Sequence, residues 1–467
     1  MKKFAALFFS LSLLISCGKA VSDDPMFWTW LEDLPDIDME SAFTHMEEAG
    51  IDAVMLHAPS VEAYQKDIEI ARSHGIRVWA WVWTLNPPRQ ERPSMLAEHP
   101  EWFSVNRRGE SLADFKAYVN SYKFLCPALP EVRDYQEKKI ETICSIDGIE
   151  GVCLDYCRLV DVVLPISLSY NYNLRQDGEV FPEYDFGYHP AMIEKFSAAY
   201  GYDPRNQEDP SRDENWNTFR KNQITECANL MAAKAHSMGK KVTASPFATH
   251  GLASFMVFQE FGKWDLDFVH PMLYCHFYTM DPEFAYDGCV ENNRDKNPAT
   301  KLMCGLDVEL GGAPESIFQK MDAAFRGGAQ GISLYTIEGL DTPELRASFR
   351  HYSDSLRALK AANGGVVPFH PAEKADLDPF THDSMMAVVR RNMQRMIAGE
   401  AIHVKSVNGM VPDDSSKVYP ALDLGPFTFV SGNDRISRYS VTDNASGRAF
   451  EFIVVHYGGI VSGWDLR

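Results

Sequence analysis

Short apolar runs that are rich in β-branched and aromatic residues recur along the first three quarters of the chain. Each run has the length of a strand, and several are almost continuously apolar, which is typical of parallel strands buried on both faces. The eight runs cover residues 27–31, 53–57, 78–83, 151–155, 242–247, 268–274, 302–309 and 331–338. They predict eight buried β-strands.

Segments with helical periodicity separate these runs. In "DMESAFTHMEEAG", Met39, Phe43 and Met46 fall on one face of a helix, and Gly50 follows as a C-terminal stop. Strands and helices that alternate eight times predict a (β/α)8 TIM barrel over residues 26–362. A doubly wound sheet would also alternate, but the count of eight and the absence of a Gly-rich phosphate turn favour the barrel.

Two of the predicted connections are long. Residues 84–130 follow the third strand, and residues 159–215 follow the fourth. Loops of this length in a compact domain are usually functional. Both leave the C-terminal ends of strands, where TIM barrels build their active sites, so we expect them to wall a cleft.

The pattern changes after the Pro/Gly-rich segment "NGGVVPFHPAEKADLDP". Residues 370–467 predict a small α+β domain, with a helix in "THDSMMAVVRRNMQRMIAG". Antiparallel strands are predicted in "AIHVKSV", "FTFVS", "RISRYSVTD" and "RAFEFIVVHY", with "NASG" as a hairpin turn. This domain carries no recognisable catalytic constellation, so its expected role is packing or spacing.

The first 17 residues have the features of a targeting segment. Lys2 and Lys3 precede an apolar core that is too short to span a membrane as a mature helix. "LISC", which ends at Cys17, resembles a bacterial lipobox, and on that resemblance Cys17 carries a lipid. We therefore expect an exported lipoprotein anchored to a membrane, with the outer membrane favoured; a plain secretory signal is the alternative.

Net charge and cysteine content limit the classes of partner, metal and cofactor that we expect this protein to bind. The net charge of -20 argues against nucleic acid, because phosphate binding needs a basic surface. Several of the eight cysteines after Cys17 lie in or beside apolar runs, so we expect mostly reduced, buried thiols. The chain has no C-x-x-C or H-x-H pair, so neither a metal nor a cofactor is expected.

The fourth predicted strand ends abruptly in polar residues. In "GVCLDYCR" the apolar run stops at Asp155, and Tyr156 and Arg158 follow. One interpretation is a local ion pair at the protein surface, and the other is a catalytic rim. If Arg158 lies beside Asp155, its charge lowers the pKa of that carboxyl group and favours a nucleophile or base over an acid.

Several blocks of the sequence resemble the bacterial glycosyl-hydrolase-like 10 family. They are "IDGIEGVCLDYCRLVD", "EHPEWFSVNRRGE", "LCPALPEVRDY" and "WDLDFVHPMLY". The resemblance covers about residues 26–360, although "DYCRLVD" lacks the family's proline and "LHAPS" replaces a polar end of strand two. It implies a TIM barrel that hydrolyses glycosidic bonds in complex glycans, with Asp155, Tyr156, Arg158 and Tyr274 at the site.

Glycoside hydrolysis needs two carboxyl groups that flank the scissile bond. Asp155 is the first candidate, and Glu309 or Asp307 on the seventh strand is the expected partner. The candidate substrate-binding residues lie near strand ends and are Trp30, His57, Trp83, Tyr156, Arg158, Tyr274, His276 and Glu338. A glycan-binding lipoprotein without catalysis remains the alternative, and the sugar, the linkage and the oligomeric state stay open.

Overall fold

The computed structural model describes residues 24–169, 172–279, 281–308, 314–368, 423–457 and 460–466. Eight strands in this part of the chain are parallel and arranged in a ring. They are β1 (Phe27–Glu32), β2 (Ala53–His57), β3 (Arg77–Trp83), β4 (Ile149–Asp155), β5 (Lys241–Ala244), β6 (Phe268–Val269), β7 (Lys301–Asp307) and β8 (Gly331–Tyr335). The order β5-β4-β3-β2-β1-β8-β7-β6 leaves one junction, between β5 and β6. Backbone hydrogen bonds from His270 to Ala244 (2.8 Å) and from Met272 to Pro246 (3.0 Å) close it. The predicted TIM barrel is confirmed.

Helices alternate with the strands on the outside of the barrel. They are α1 (Met39–Ala49), α2 (Val61–Ser73), α3 (Arg92–Glu98), α4 (Pro130–Cys144), α5 (Ile166–Ser169), α6 (Pro190–Tyr200), α7 (Glu214–Ser237), α8 (His250–Val257), α9 (Phe284–Asp295), α10 (Pro314–Arg326) and α11 (Pro343–Ala362). Local signals set several of their ends. Asp38 caps α1 by accepting from Ser41 N, and Gly50 ends it in the left-handed conformation.

Several strands are shorter than the sequence predicts, among them β8, which ends at Tyr335 instead of residue 338. In β5 and β6 prolines explain the difference. β5 ends at Ala244 and β6 at Val269, whereas the apolar runs continue to residues 247 and 274. Pro246 and Pro271 lie inside those runs, and proline has no N–H to continue a ladder. The chain beyond them stays in the barrel wall through single bridges, such as Phe247 with Met272.

Side chains alternate between the barrel interior and the helix layer, and this alternation positions the candidate site. Trp79, Trp81 and Trp83 on β3 point inward and pack with Trp28 and Trp30 of β1. The interior tolerates this bulk because neighbouring strands offer small residues. A Cβ added to Gly151 on β4 would lie 2.4 Å from the ring of Trp79. The interior is therefore a packed core, although a few buried polar side chains lie within it, such as His270 and Ser333.

A four-stranded antiparallel sheet follows the barrel. Its strands are β9 (Thr428–Gly432), β10 (Ile436–Thr442), β11 (Ala449–Tyr457) and β12 (Ile460–Leu466), in the order β12-β11-β10-β9. The first three match predicted strands, whereas β12 was not predicted. The predicted helix at 381–399 and strand at 401–407 lie outside the described residues. Arg435 stacks on Phe255 of α8 at 4.2 Å, and Arg438 pairs with Asp177 at 3.2 Å, so the sheet contacts the barrel's loops.

The eight cysteines from Cys126 to Cys304 are free and buried, as their apolar surroundings predict. Among the helices that the structure describes, none combines the length and the apolar character needed to cross a membrane.

Candidate active site

Asp155 is the last residue of β4 and faces the barrel interior. It pairs in register with Trp83, and only 7% of its surface is exposed. The indole N–H of Trp81 donates to its Oδ2 at 2.8 Å, and the backbone N–H of Tyr156 donates to its Oδ1 at 2.6 Å. Burial raises the pKa of Asp155 to about 6, although Trp81, Tyr156 and Arg158 oppose this shift. A carboxyl group in this state can hold a proton and release it within an ordinary pH range.

Arg158 lowers the pKa of Asp155, as expected, but burial outweighs this effect, so the net shift of the pKa is upward. Arg158 forms its ion pair with Asp161, at 3.0 Å, and donates to the hydroxyl of Tyr122 at 3.1 Å. Four aromatic rings surround the guanidinium with centroids 4.9–5.5 Å away, those of Tyr122, Phe124, Tyr156 and Phe247. These contacts give Arg158 the role of fixing the loop after β4.

Tyr156 turns the chain immediately after Asp155. Its φ is 53°, in the left-handed region that non-glycine residues rarely adopt. Backbone strain of this kind persists where the surroundings enforce it, and it occurs often at functional sites. The ring of Tyr156 lies 5.1 Å from Trp83 and 5.5 Å from the guanidinium of Arg158, so both neighbours hold the turn.

Asp307 is the last residue of β7 and also faces inward, because Met303, four residues earlier, belongs to the interior cluster. Its Oδ2 lies 2.7 Å from Nζ of Lys320 and 2.9 Å from Nδ1 of His276. Burial alone would raise the pKa of Asp307, but His276 and Lys320 outweigh it and lower the pKa to about 2. Its Oδ1 is buried and has no hydrogen-bond partner among the described residues.

Tyr274 lies near both carboxyl groups. Burial raises its pKa well above the ordinary value, and the charges of Tyr335, Asp155 and Asp307 raise it further. The Tyr274 hydroxyl therefore lies within electrostatic reach of both carboxylates. The ring of Tyr274 stacks on Tyr335 at 5.2 Å, and Tyr335, which is 44% exposed, presents an aromatic surface at the mouth of the barrel.

The remaining predicted residues occupy different depths. Trp30 is buried beneath the mouth, with its ring 6.0 Å from that of Tyr335. His57 is held by the backbone carbonyl of Trp81 at 3.1 Å and stacks on Trp83 at 5.2 Å. Glu338 lies in the 3-10 turn Ile337–Gly339 after β8, with a buried Oε2 that has no partner within the described residues. Glu309 and Cys17 lie outside the described residues.

Two residues that contact the carboxyl groups were not predicted. Trp81 has the same inward alternation as Trp83 and Asp155, so strand periodicity gave a signal for it. Lys320 gave no such signal, because it lies on α10 and reaches Asp307 only in the folded barrel. Across the described ranges, no group of three or more His, Cys, Asp or Glu side chains is arranged to hold a metal ion.

Several solved structures of glycoside hydrolases have a fold similar to that of this chain. The chain is similar to the catalytic domain of β-amylase from Paenibacillus polymyxa, with 12% identity, a TM-score of 0.51, and 72% of this chain and 99% of that chain covered. It is also similar to α-galactosidase AgaA from Geobacillus stearothermophilus, with 10% identity, a TM-score of 0.38, and 94% of this chain and 49% of that chain covered. It is similar as well to the glycoside hydrolase domain of PelA from Pseudomonas aeruginosa, with 9% identity, a TM-score of 0.38, and 68% of this chain and 97% of that chain covered. No protein-family model and no curated protein matches the chain. The similarity to the β-amylase catalytic domain agrees with the (β/α)8 barrel described above.

Proposed function

We propose that the protein is a glycoside hydrolase in which Asp155 is the general acid and Asp307 the ionised partner. The observation that carries this proposal is the contrast between the two inward-facing carboxyl groups. Burial raises the pKa of Asp155 to about 6, whereas Lys320 and His276 help to lower the pKa of Asp307 to about 2. Two carboxyl groups whose environments push their pKa values apart are the usual arrangement for an acid and its charged partner.

Each residue has a defined task in this mechanism. Asp155 donates its proton to the oxygen of the departing sugar as the glycosidic bond breaks. Asp307 presents its Oδ1, which has no hydrogen-bond partner in the described part of the chain, to the anomeric carbon or to a water molecule. A carboxyl separation of about 5–5.5 Å gives retention through a covalent intermediate, and one of about 6.5–9.5 Å gives inversion. Tyr274 and Tyr335 supply aromatic surface for the sugar that sits between the two acids.

The family blocks and the lipobox extend the proposal. The resemblance to the glycosyl-hydrolase-like 10 family supports a complex glycan as substrate. The segment that ends at Cys17 supports export and lipid anchoring, in the outer membrane by preference.

Replacement of Cys17 by Ser should release the protein from membranes. The thiol is the only group in "LISC" that can take the lipid thioether, and serine cannot replace it. Fractionation of cells that express each form gives the measurement, with the wild type in the membrane pellet and the variant in the soluble fraction. A Cys17→Ser variant that stays in the pellet would show that the lipobox interpretation is wrong.

The proposed function is tested by hydrolysis of a glycan panel measured across pH. Because Asp155 must be protonated and Asp307 ionised, kcat/KM should be level between about pH 2 and pH 6 and should fall about tenfold per unit above pH 6. The Trp81 indole stabilises the charged carboxylate of Asp155, so Trp81→Phe should raise the pKa and move the alkaline limb to higher pH.

Two outcomes would contradict this assignment. An alkaline limb that does not move, or that moves to lower pH, in Trp81→Phe would remove Asp155 from the role of acid. Glycan binding without hydrolysis at any pH would instead favour the non-catalytic, glycan-binding alternative.

A further inference from the structure

A groove of about 670 Å³ opens beside the mouth of the barrel, between α2 and α4. Its inner end is formed by His57, Trp81 and Trp83, which belong to the inward-facing rim of β2 and β3. Trp81 is the residue that holds Asp155, so the groove begins one side chain away from the candidate acid. The volume of the groove lies within the range of about 300–1,000 Å³ that is typical of small-molecule sites.

The groove combines an apolar floor with a polar edge. Tyr64 and Ile146 contribute to the floor with the tryptophans, and the exposed side chains of Gln90, Ser94 and Thr142 contribute to the edge. This pairing suits a ligand with C–H faces and hydroxyl groups, because aromatic rings cover the former and polar groups bind the latter.

The charges of the groove cancel. Its lining contains two carboxylates, Glu91 and Glu98, and two ammonium groups, Lys138 and Lys139. Lys139 is committed to Glu91 at 3.0 Å and to the carbonyl of Trp83 at 3.3 Å, and Glu91 also accepts from the hydroxyl of Tyr135. The two carboxylates and the two ammonium groups balance, so the groove has no net charge and favours a neutral ligand.

Trp102 provides a rigid aromatic platform in this groove. Its ring stacks on His99 at 4.0 Å with only 9° between the planes, and it lies 6.0 Å from the ring of Tyr135. Its backbone is fixed at both ends, because its N–H donates to His99 and its carbonyl accepts from Cys126. Trp102 is partly exposed, so it can present ring surface to a ligand without a change in the backbone.

We propose that this groove binds neutral sugar rings of the substrate glycan, with Trp102 as the stacking platform. The inference rests on the proposed function for its link to catalysis, since the groove extends the glycan site outward from Asp155 past Trp81 and Trp83. It also names the substrate class: an uncharged oligosaccharide that is long enough to extend from the mouth of the barrel into the groove.

The test measures binding by calorimetry to full-length Asp155→Asn protein, in which a substrate would stay intact. The probes are neutral hexasaccharides (maltohexaose, cellohexaose, mannohexaose, xylohexaose and N-acetylated chitohexaose) and the acidic hexagalacturonate. At least one neutral probe should bind, and the added change Trp102→Ala should weaken it about tenfold, the loss of about 1.4 kcal/mol. Ser94→Trp, which fills the groove from its exposed edge, should weaken the same probe.

Tyr200→Ala is the matched control, because Tyr200 is an exposed aromatic residue that stacks on Phe196 at 4.6 Å on α6, outside the groove. When Tyr200→Ala is added to the Asp155→Asn protein, the affinity for the neutral probe should not change. The proposal is overturned if no neutral probe binds, if hexagalacturonate binds more tightly, or if Trp102→Ala and Ser94→Trp leave the affinity unchanged. If the wild-type protein hydrolyses a glycan but both groove variants keep their full affinity, this inference is overturned and the proposed function stands. If binding depends on Trp102 but the wild-type protein hydrolyses no glycan, the proposed function is overturned and the binding role of the groove stands.

Discussion

Asp155→Asn should abolish hydrolysis and, at neutral pH, make the protein more stable. The amide cannot donate the proton that the departing sugar requires, so kcat should fall by about 10²–10⁴. Burial raises the pKa of Asp155 from 3.8 to about 6. In the pH window between these two values, the native wild type therefore binds more protons than the unfolded chain. Wild-type stability therefore falls as pH rises through the window, by about 3 kcal/mol in total.

The variant lacks this titration, so its advantage over the wild type should grow between about pH 4 and pH 7. Asparagine offers one acceptor oxygen where the carboxylate offers two, and Trp81 and Tyr156 both donate. The lost hydrogen bond costs about 1–1.5 kcal/mol, which leaves a net gain of about 1–2 kcal/mol near pH 7. Urea unfolding at several pH values, together with initial rates, measures both effects.

Glu291→Gln is the matched control. Glu291 is also buried, its pKa is raised to about 7 by burial, and it accepts from the backbone N–H of Gly251 at the start of α8. Its replacement should give the same kind of pH-dependent gain in stability with full activity. Turnover by Asp155→Asn at the wild-type rate would remove Asp155 from the mechanism.

The position of Asp155 could be predicted from the sequence because it depends on local rules. Eight apolar runs define the barrel, and the period of two along β3 and β4 places Trp79, Trp81 and Trp83 inside with Asp155. A barrel carries its site at the C-terminal ends of its strands, so an acid that ends a buried strand is a catalytic candidate by its position in the chain alone.

The electrostatics of the site could not be predicted in the same way. The sequence places Arg158 three residues from both Asp155 and Asp161, and only the left-handed turn at Tyr156 directs the guanidinium to Asp161. The charge partner of Asp307 is Lys320 on α10, and no local sequence pattern predicts that these two residues meet. β12 was missed because Ser462 and Gly463 interrupt its apolar run, so its place depends on pairing with β11.

Asp307→Asn should also abolish hydrolysis, but it should destabilise the protein. Lys320 is only 6% exposed, and the carboxylate of Asp307 lies 2.7 Å from its ammonium group. The substitution removes the ion pair of the buried ammonium group, so the free energy of unfolding should fall. Activity should fall by about 10²–10⁴, because the amide can neither attack the sugar nor activate a water molecule. Urea unfolding and initial rates therefore separate the two carboxyl groups: loss of Asp155 raises stability, and loss of Asp307 lowers it.

The double variant Asp307→Asn with Lys320→Met separates stability from chemistry. Methionine fills the volume of the lysine stem without its charge, so the unfolding free energy should recover most of the loss, while hydrolysis stays absent. If Asp307→Asn instead keeps the wild-type kcat, the role of ionised partner passes to Glu309 or Glu338, and Lys320 is left with a purely structural task. If the single variant loses activity and the double variant regains it, the defect came from the loss of the Asp307–Lys320 ion pair, and the carboxylate of Asp307 takes no part in bond cleavage.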